Sequence, residues 1–310
     1  MGERTSIEWT RDPNTGEPGA TWNPWTGCDK VSSGCKNCYA ERIVARWGRD
    51  FSVVKRSKTT FDDPLRWRKG RMVFTCSMSD FFHESADSWR DEAWEIIQRT
   101  PRHTYQILTK RPERIKGHLP RICFYCAMNP DDPGPTPSLC LASPTTGHLW
   151  WPWPNVWLGT SVEMDLYMSR VYILLRIPAR VHFLSAEPLL GPLNLSPTIL
   201  AHKLWIRLPD DPPINYAKAT LDWVITGGES DPHNPRLSPE LNEWFRSIRD
   251  ACATYGVPFF LKQLGGTTKC SCHGSWGCRL LDGRTHDGMP SGLSHLAPST
   301  LDVDSDRVAR

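Results

Sequence analysis

The sequence predicts an α/β protein, a full or partial (βα)6–7 barrel of parallel strands that carries a cysteine-bearing insertion and tail. Three observations predict this fold. Short apolar runs rich in β-branched and aromatic residues recur along the chain, amphipathic stretches separate them, and polar or glycine residues close each run. Strand followed by helix, repeated, indicates a parallel sheet. An open doubly wound sheet is the competing arrangement.

The predicted strands are the short apolar runs, and a first strand is expected at residues 20–25. The other predicted strands cover residues 71–76, 104–108, 156–160, 180–185, 221–226 and 257–261. The predicted helices cover residues 38–48, 88–99, 165–175 and 239–255. Ser238 is the expected N-cap of the last helix, with Pro239 in its first turn.

The barrel is expected to span residues 1–266. Residues from about 120 to 155 show no clear period and hold several prolines, so we interpret them as an insertion. Residues 267–310 form a Gly/Ser-rich extension. Its end, from Ser291, has few apolar side chains to bury and is expected to be poorly ordered.

The composition limits the classes of function. Of the 310 residues 39% are hydrophobic, and no apolar run approaches the roughly 18 residues that a membrane helix needs, which excludes a membrane span. Residues 1–4 lead into no apolar stretch, so we expect no secretory signal and a cytoplasmic, reducing location. In that setting eleven cysteines with clustered spacings favour metal binding over disulfides. A net charge of +3 neither requires nor excludes a nucleic-acid partner.

The strongest motif lies in residues 23–38, which we call the cysteine loop. It contains Cys28, Cys35 and Cys38, after the first predicted strand and at the start of a predicted helix. Gly27 and Gly34 permit backbone turns that bring several sulfurs together, and a helix start favours thiolate. Three cysteines can bind a [4Fe-4S] cluster and leave one iron open to a small molecule. Structural zinc, buried unligated thiols and a thioredoxin-like redox pair are the alternatives.

Asn23-Pro-Trp-Thr-Gly-Cys28 and Cys35-Lys-Asn-Cys38-Tyr-Ala-Glu-Arg42 resemble the cysteine motif of radical S-adenosylmethionine enzymes in the spore photoproduct lyase-like branch. The order and flanks match, but six residues separate the first two cysteines instead of three, and Asn37 replaces the usual aromatic residue. A longer stretch resembles an uncharacterised phage-associated family described by the same three-cysteine motif. The resembling segments are residues 6–9, 76–80, 108–112, 155–159, 183–188, 224–230 and 260–266.

This resemblance implies a radical S-adenosylmethionine enzyme. Its cofactors are a [4Fe-4S] cluster held by Cys28, Cys35 and Cys38, and S-adenosyl-L-methionine, from which a 5′-deoxyadenosyl radical is generated. Such chemistry requires an electron donor. The resemblance also implies a separate partner protein named for the three-cysteine motif.

Chemistry in such barrels takes place at the carboxyl ends of the strands, so polar and glycine residues there are the predicted cofactor-binding groups. They are Ser77, Ser79, Asp80, Lys110, Ser161, Glu187, Gly227, Gly228 and Glu229. Ordinary solvation of strand ends is the alternative explanation for this polarity. Tyr39 is a candidate electron or hydrogen-atom relay, or an aromatic ring packed over the cluster. Cys76 is a candidate hydrogen donor, or a small buried hydrophobic residue.

A second set of cysteines lies outside the cysteine loop, in the insertion and the extension. Its members are Cys123, Cys126, Cys140, Cys270, Cys272, His273 and Cys278. A Cys₄ or Cys₃His zinc site assembled from the two segments is the leading interpretation. An auxiliary iron-sulfur cluster and thiols that bind no metal are the alternatives.

Fifteen tryptophans and two basic segments, residues 66–71 and 110–114, are features of proteins that stack on bases and contact phosphates. Core packing is the alternative for the tryptophans. Together with the resemblance, these features indicate a nucleic-acid base as the substrate. A noncatalytic zinc or iron-sulfur nucleic-acid-binding protein is the rival function. A hydrolytic or transferase barrel using Asp80, Glu187 and Lys262 is a third.

Overall fold

The structure, a computed structural model, describes residues 2–120, 151–200, 205–207, 216–218, 220–271 and 273–290. The greater part of the predicted insertion, the residues from Ser291 onward, and Cys123, Cys126, Cys140 and Cys272 lie outside these described residues. No helix within the described ranges is long and apolar enough to cross a membrane.

Seven strands form one sheet in which every neighbouring pair is parallel. Its strands are β1 (Ala20–Trp22), β4 (Met72–Thr75), β5 (Thr104–Thr109), β6 (Val156–Ser161), β7 (Val181–Ala186), β10 (Trp223–Gly227) and β11 (Phe259–Gln263). They lie in chain order across the sheet, β1-β4-β5-β6-β7-β10-β11, so the strand order never reverses. A doubly wound sheet requires such a reversal. The competing arrangement is therefore excluded.

The sheet is curled into a partial barrel, which confirms the predicted α/β fold. Trp9 packs inside the curl, with its ring 4.6 Å from the ring of Phe74 on β4 and 6.2 Å from that of Trp223 on β10. Phe260 of the last strand belongs to the same buried cluster. Side chains from both ends of the strand order thus meet around one inner core.

In the described part of the chain, six α-helices accompany the sheet. They are α1 (Tyr39–Arg46), α2 (Asp63–Arg66), α3 (Asp87–Arg99), α4 (Ser169–Leu174), α5 (Pro197–Leu200) and α6 (Leu241–Thr254). The longest two, α3 and α6, bury apolar stripes against the outer face of the strands, for example Trp94 and Ile97 on α3 and Phe245 and Ile248 on α6. Polar residues such as Asp80, Thr109 and Ser161 are buried at the carboxyl ends of the strands.

Two pairs of short strands lie outside the main sheet and were not predicted. Strand β2 (Trp25–Thr26) pairs antiparallel with β3 (Lys55–Arg56), and β8 (Trp205–Arg207) pairs antiparallel with β9 (Tyr216–Lys218). Segments of two or three residues are too short to show a hydrophobic period.

Most predicted boundaries differ from the structure by one or two residues, and three differences are larger or change the element. The strand expected at residues 20–25 ends at Trp22, ahead of Pro24, whose nitrogen carries no hydrogen to donate to a strand neighbour. The helix expected at 165–175 is a 3-10 turn followed by α4. Helix α6 begins at Leu241 with Glu240 as its N-cap, and the Ser238 hydroxyl accepts a hydrogen bond from the Glu240 amide instead.

Candidate cofactor site

The cysteine loop leaves the carboxyl end of β1 and is fastened to the end of β4. The Asn23 side-chain nitrogen donates to Ser77 Oγ over 3.0 Å, and its oxygen accepts from the Met78 amide over 2.8 Å. The Ser79 hydroxyl donates to the Gly27 carbonyl over 2.7 Å. Ser77 and Ser79, both predicted to bind a cofactor, therefore hold the loop that carries the three cysteines.

Two glycines let this loop approach its neighbours closely. A β-carbon at Gly34 would lie 2.3 Å from Glu163 Oε1. Gly27 has a φ of 113°, and a β-carbon there would lie 2.7 Å from the Val53 carbonyl oxygen. Neither position tolerates a side chain without displacing the loop. The predicted role of both glycines in shaping the loop has this steric basis.

The three thiols of the loop stand in different backbone settings. Cys35 ends a 3-10 turn, Ser33–Cys35, and Cys38 is the N-cap residue of α1. All three cysteines are half-buried. Cys38 thus lies at the end of α1 where the backbone amides point out of the helix. The arrangement offers up to three thiolates at one edge of the barrel.

Two cations from the end of β5 face two of these sulfurs. Lys110 Nζ lies 3.6 Å from Cys35 Sγ, and Arg111 Nη1 lies 3.5 Å from Cys28 Sγ. Burial disfavours the Cys35 thiolate, but the Lys110 ammonium and hydrogen bonds at Val31 and Ser32 outweigh burial and lower the pKa of this thiol. At Cys28, burial and the Asp80 carboxylate raise the pKa to about 11 against the opposing effect of Arg111. The Lys110 ammonium and the Arg111 guanidinium thus lie where they would stabilise thiolates at Cys35 and Cys28, respectively.

The spacing of the three sulfurs is not that of ligands to one ion. Among the described residues, only Cys270, His273 and Cys278 form a set of three candidate ligand atoms that all lie within 4.8 Å of one another. Ligands of a single zinc ion converge on one point, whereas the ligands of an iron-sulfur cube each bind a different iron. Cys28, Cys35 and Cys38 do not form a set of the kind found in the extension.

Glu163 is wholly buried and links the loop to the inner face of the barrel. Its carboxylate lies 2.6 Å from Lys110 Nζ and 3.2 Å from Arg170 Nη1, and it accepts a hydrogen bond of 2.6 Å from the Ser32 hydroxyl. Two cations and a hydroxyl thus satisfy this buried carboxylate. Glu163 therefore fixes Lys110 beside Cys35.

Asp80 has an organising position. Its side chain is nearly fully buried and accepts from the Thr109 hydroxyl over 2.7 Å, from the Lys110 amide over 2.9 Å and from Arg111 Nη1 over 3.3 Å. Both carboxylate oxygens are occupied by the end of β5. Predicted as a cofactor-binding residue, Asp80 serves in the structure to direct Arg111 toward Cys28.

The glycine pair after β10 has packing partners. A β-carbon at Gly227 would lie 2.6 Å from Glu187 Oε1, and one at Gly228 would lie 2.0 Å from the Leu264 carbonyl oxygen. Glu187 in turn lies 3.0 Å from Lys262 Nζ. The absent side chain of Gly227 makes room for this ion pair. The absence of a side chain at Gly228 lets the backbone of Leu264, just after β11, come close.

Glu229 joins the end of β10 to the cysteine loop. It forms an ion pair with Arg236 and accepts a 3.0 Å hydrogen bond from the Asn37 side chain. Arg236 also donates to the Ser33 carbonyl over 2.8 Å. Burial raises the pKa of the Glu229 carboxyl, but the hydrogen bonds and charge of Arg236 and the bond from Asn37 more than reverse this and lower it. Glu229 thus contacts Asn37, next to Cys38, and Arg236 contacts Ser33, two residues before Cys35.

The remaining predicted site residues divide between the site and the core. The Tyr39 hydroxyl donates to the Ser77 carbonyl, and its ring is half exposed at the start of α1. Ser161 is buried at the end of β6, where its carbonyl accepts from Arg170. Cys76 packs in the outer hydrophobic core, and burial raises the pKa of its thiol well above the ordinary value. For Cys76 the placement matches the buried-hydrophobic alternative.

Cys270, His273 and Cys278 form a second group that could hold a metal ion. Cys278 Sγ lies 3.7 Å from His273 Nδ1. All three belong to the extension after β11. Cys272, the fourth candidate ligand in this stretch of sequence, lies outside the described residues, as do the insertion cysteines predicted to join the group.

Several residues of the site were not among the predicted site residues. Arg111 follows Lys110, and Arg236 lies in the polar loop between β10 and α6. A buried histidine, His83, lies 3.0 Å from the carboxylate of Asp29 in the cysteine loop. Two cations after a strand were a usable signal for Arg111. For Arg236 and His83 the local sequence holds none, because their partners are remote in the chain.

Two comparisons with known proteins find no match, and a third finds a family. The sequence model of a family described as a protein of unknown function (DUF5131) matches residues 4–290. No curated protein and no solved structure matches the chain.

Proposed function

The chain belongs to the DUF5131 family of proteins of unknown function, and we propose that it is a radical S-adenosylmethionine enzyme whose Cys28, Cys35 and Cys38 bind a [4Fe-4S] cluster. One observation carries the proposal. Three half-buried thiols from a single loop lie at the carboxyl edge of a partial barrel, and cations reach two of them at 3.5 and 3.6 Å. In barrels this edge is where cofactors bind.

The residues of the loop fit such a cluster. Three thiolate ligands suit iron-sulfur chemistry and leave one iron without a protein ligand. A cluster with three thiolates carries negative charge, which Lys110, Arg111 and the amide dipoles of α1 stabilise. When bound, the cluster supplies the electron that cleaves S-adenosylmethionine to a 5′-deoxyadenosyl radical.

The chain's own residues would bind and orient the cofactor and exclude water. Glu187 follows β7 and lies 3.0 Å from Lys262 on β11, across the end of β10. The two side chains can exchange their mutual contact for the ammonium and carboxylate of an amino-acid group. Gly227 keeps space beside Glu187. Buried Glu163 holds Lys110 beside the loop, and it would lose one of its two cations if Lys110 moved away.

Zinc is the ion proposed for the second group. Two thiolates and an imidazole, from Cys270, Cys278 and His273, are ligands typical of structural zinc. An auxiliary iron-sulfur cluster there is the alternative, and metal analysis of the purified protein distinguishes the two.

The proposed substrate is a nucleic-acid base, on narrower grounds than the sequence suggested. Trp22, Trp25, Trp94, Trp157 and Trp223 are fully buried, so they are core residues. The aromatic side chains that support base stacking are Tyr39 at the start of α1 and Trp47 just past its end, both about half exposed. An electron donor and a three-cysteine-motif partner protein remain proposed partners.

Anaerobic reconstitution with iron and sulfide tests the proposed function. The protein should turn brown, bind iron and sulfide, and release 5′-deoxyadenosine from S-adenosylmethionine under dithionite. Cys28→Ala, Cys35→Ala or Cys38→Ala should abolish both iron binding and release. Cys252→Ala, which removes a buried thiol in the outer core, is the matched control and should preserve both. Colourless protein with stoichiometric zinc on the loop cysteines would favour the noncatalytic rival.

A further inference from the structure

The chain after β11 folds back against the end of β10 as a hairpin, of which residues 264–271 and 273–278 are described. Within the hairpin, the Leu264 amide donates to the Cys278 carbonyl over 2.8 Å and the Gly265 amide to the Trp276 carbonyl over 2.9 Å. Toward β10, the Gly266 amide donates to the Glu229 carbonyl over 2.9 Å. The hairpin therefore forms a backbone layer directly on the strand end that carries Glu229.

This layer is packed backbone to backbone. A β-carbon at Gly277 would lie 1.8 Å from the Gly265 carbonyl oxygen, and one at Gly265 would lie 2.7 Å from the Glu229 carbonyl oxygen. Such close approach transmits any movement of the hairpin to Glu229.

The hairpin has little apolar material of its own. Among its described residues after Leu264, only Gly265 and Ser275 are buried, and neither has a hydrophobic side chain. Segments without a core require another source of stability, commonly a disulfide or a metal. Here the ligand atoms of Cys270, His273 and Cys278 lie within 4.8 Å of one another. The backbone between them is tied by the Cys270 amide, which donates to the Ser275 carbonyl over 2.9 Å.

Contacts continue from the hairpin to the cysteine loop. Glu229 binds Arg236 and Asn37, and Arg236 reaches the Ser33 carbonyl at 2.8 Å. Two residues after Glu229, the Asp231 amide donates to the Gly266 carbonyl over 3.3 Å. The Asp231 carboxylate pairs with Arg42 on α1. One ion pair, to Arg42, and hydrogen bonds to Asn37 and Ser33 thus connect the strand end under the hairpin to residues on either side of Cys38.

We propose that zinc on Cys270, His273 and Cys278 is a structural clasp that holds the Glu229–Asp231 strand end, and through it the cysteine loop, in place. The inference extends the proposed zinc occupancy and is independent of iron at the loop. Because the hairpin has no apolar core of its own, loss of the ion would remove its main source of stability.

The test measures zinc and amide hydrogen exchange on the full chain as purified. Wild type should contain one zinc per chain, and Cys270→Ser or Cys278→Ser should lose it. Exchange of the amides at residues 228–231 and 33–38 should then accelerate about tenfold or more. Ser271→Ala, an exposed non-ligand in the same hairpin, should keep both zinc and slow exchange. If the cysteine variants fail to fold, removal of the metal from wild type by a zinc chelator replaces them.

A Cys28→Ala/Cys35→Ala/Cys38→Ala variant separates this inference from the proposed function. It should keep its zinc, whether or not the wild-type loop binds iron. Three results would overturn the clasp: no zinc in wild type, zinc lost only from the loop variant, or zinc lost from Cys278→Ser with unchanged exchange at Gly228 and Glu229.

Discussion

The ammonium nitrogen of Lys110 lies 3.6 Å from the sulfur of Cys35, although the two residues are 75 positions apart in the chain. The cysteine follows β1 and the lysine follows β5, and β4 lies between these strands in the sheet. Curling of the sheet brings their ends together. Buried Glu163, 2.6 Å from the same ammonium, keeps the lysine at this position. The cation beside Cys35 therefore comes from the barrel, while its own loop contributes hydrogen bonds at Val31 and Ser32.

Removing this cation should make Cys35 less reactive. In the cluster-free protein, Lys110 lowers the pKa of Cys35 against the effect of burial, so Lys110→Met should raise it. Raising the pKa of a thiol by about 1 lowers its thiolate fraction near neutral pH about tenfold. The measurement is the rate of Cys35 alkylation, followed by mass spectrometry. Lys262→Met, which removes a lysine at another strand end, should leave the rate unchanged. Equal rates in Lys110→Met and wild type would contradict the assignment.

A methyl group at position 34 should disturb the loop. The β-carbon of Gly34→Ala would lie 2.3 Å from Glu163 Oε1, and two ion pairs and a hydrogen bond prevent that buried side chain from moving aside. We expect a loss of about 1–3 kcal/mol in the free energy of unfolding, as for other overpacked sites. Reconstituted iron content should fall with it. In Gly117→Ala, where nothing lies within 4 Å, stability should stay within about 0.5 kcal/mol of wild type. Similar unfolding midpoints for the two variants in urea would refute this steric argument.

The strands of the main sheet could be predicted from the sequence because parallel strands are buried on both faces and form continuous apolar runs. Tyr105 and Ile107 face the outer core while Gln106 and Leu108 face the interior, and all four lie in the predicted run. The polar ends of these runs indicated which edge of the barrel holds the site. Boundaries were less accurate, as at Ser238, because a serine hydroxyl can cap a turn ahead of a helix as readily as the helix itself.

The contacts within the site could not be predicted, because the sequence does not reveal which charges meet. Arg236 reaches both Glu229 and the Ser33 carbonyl, 203 positions away. The sequence marked Asp80 as a group for a cofactor, yet the structure uses its two oxygens on Thr109, Lys110 and Arg111. Polar residues at strand ends can bind a cofactor or contact other parts of the protein. The sequence alone does not distinguish the two roles.

The Arg236 guanidinium should contribute to stability mainly by neutralising the buried Glu229 carboxylate. Arg236→Gln leaves a carboxylate that is only 4% exposed without its cation, and we expect a loss of about 2–3 kcal/mol in the free energy of unfolding. The double variant Glu229→Gln/Arg236→Gln removes the unpaired charge and should recover part of that loss. Urea unfolding of wild type, both single variants and the double variant measures the coupling. A double variant that is as unstable as the sum of the single losses would show that the pair does not interact.

His103 should make stability depend on pH in mildly acidic solution. The ring is fully buried between Trp67 and Tyr105, and Nε2 donates to the Pro64 carbonyl at 3.1 Å. Nδ1 has no hydrogen-bond partner among the described residues, so a proton there would be buried unpaired.

Burial, reinforced by the Arg102 charge and opposed by the bond to Pro64, lowers the pKa of His103 from 6.5 to about 4. The unfolded chain therefore binds this proton more readily than the folded one. The contribution is fully present above pH 6.5 and is lost as the pH falls toward 4, by about 3 kcal/mol in all. His103→Gln keeps a donor for Pro64 and cannot ionise, so the free energy of unfolding of wild type should drop more steeply than that of the variant between these pH values. Parallel pH profiles in urea unfolding would show that His103 is protonated in the fold as easily as in the open chain.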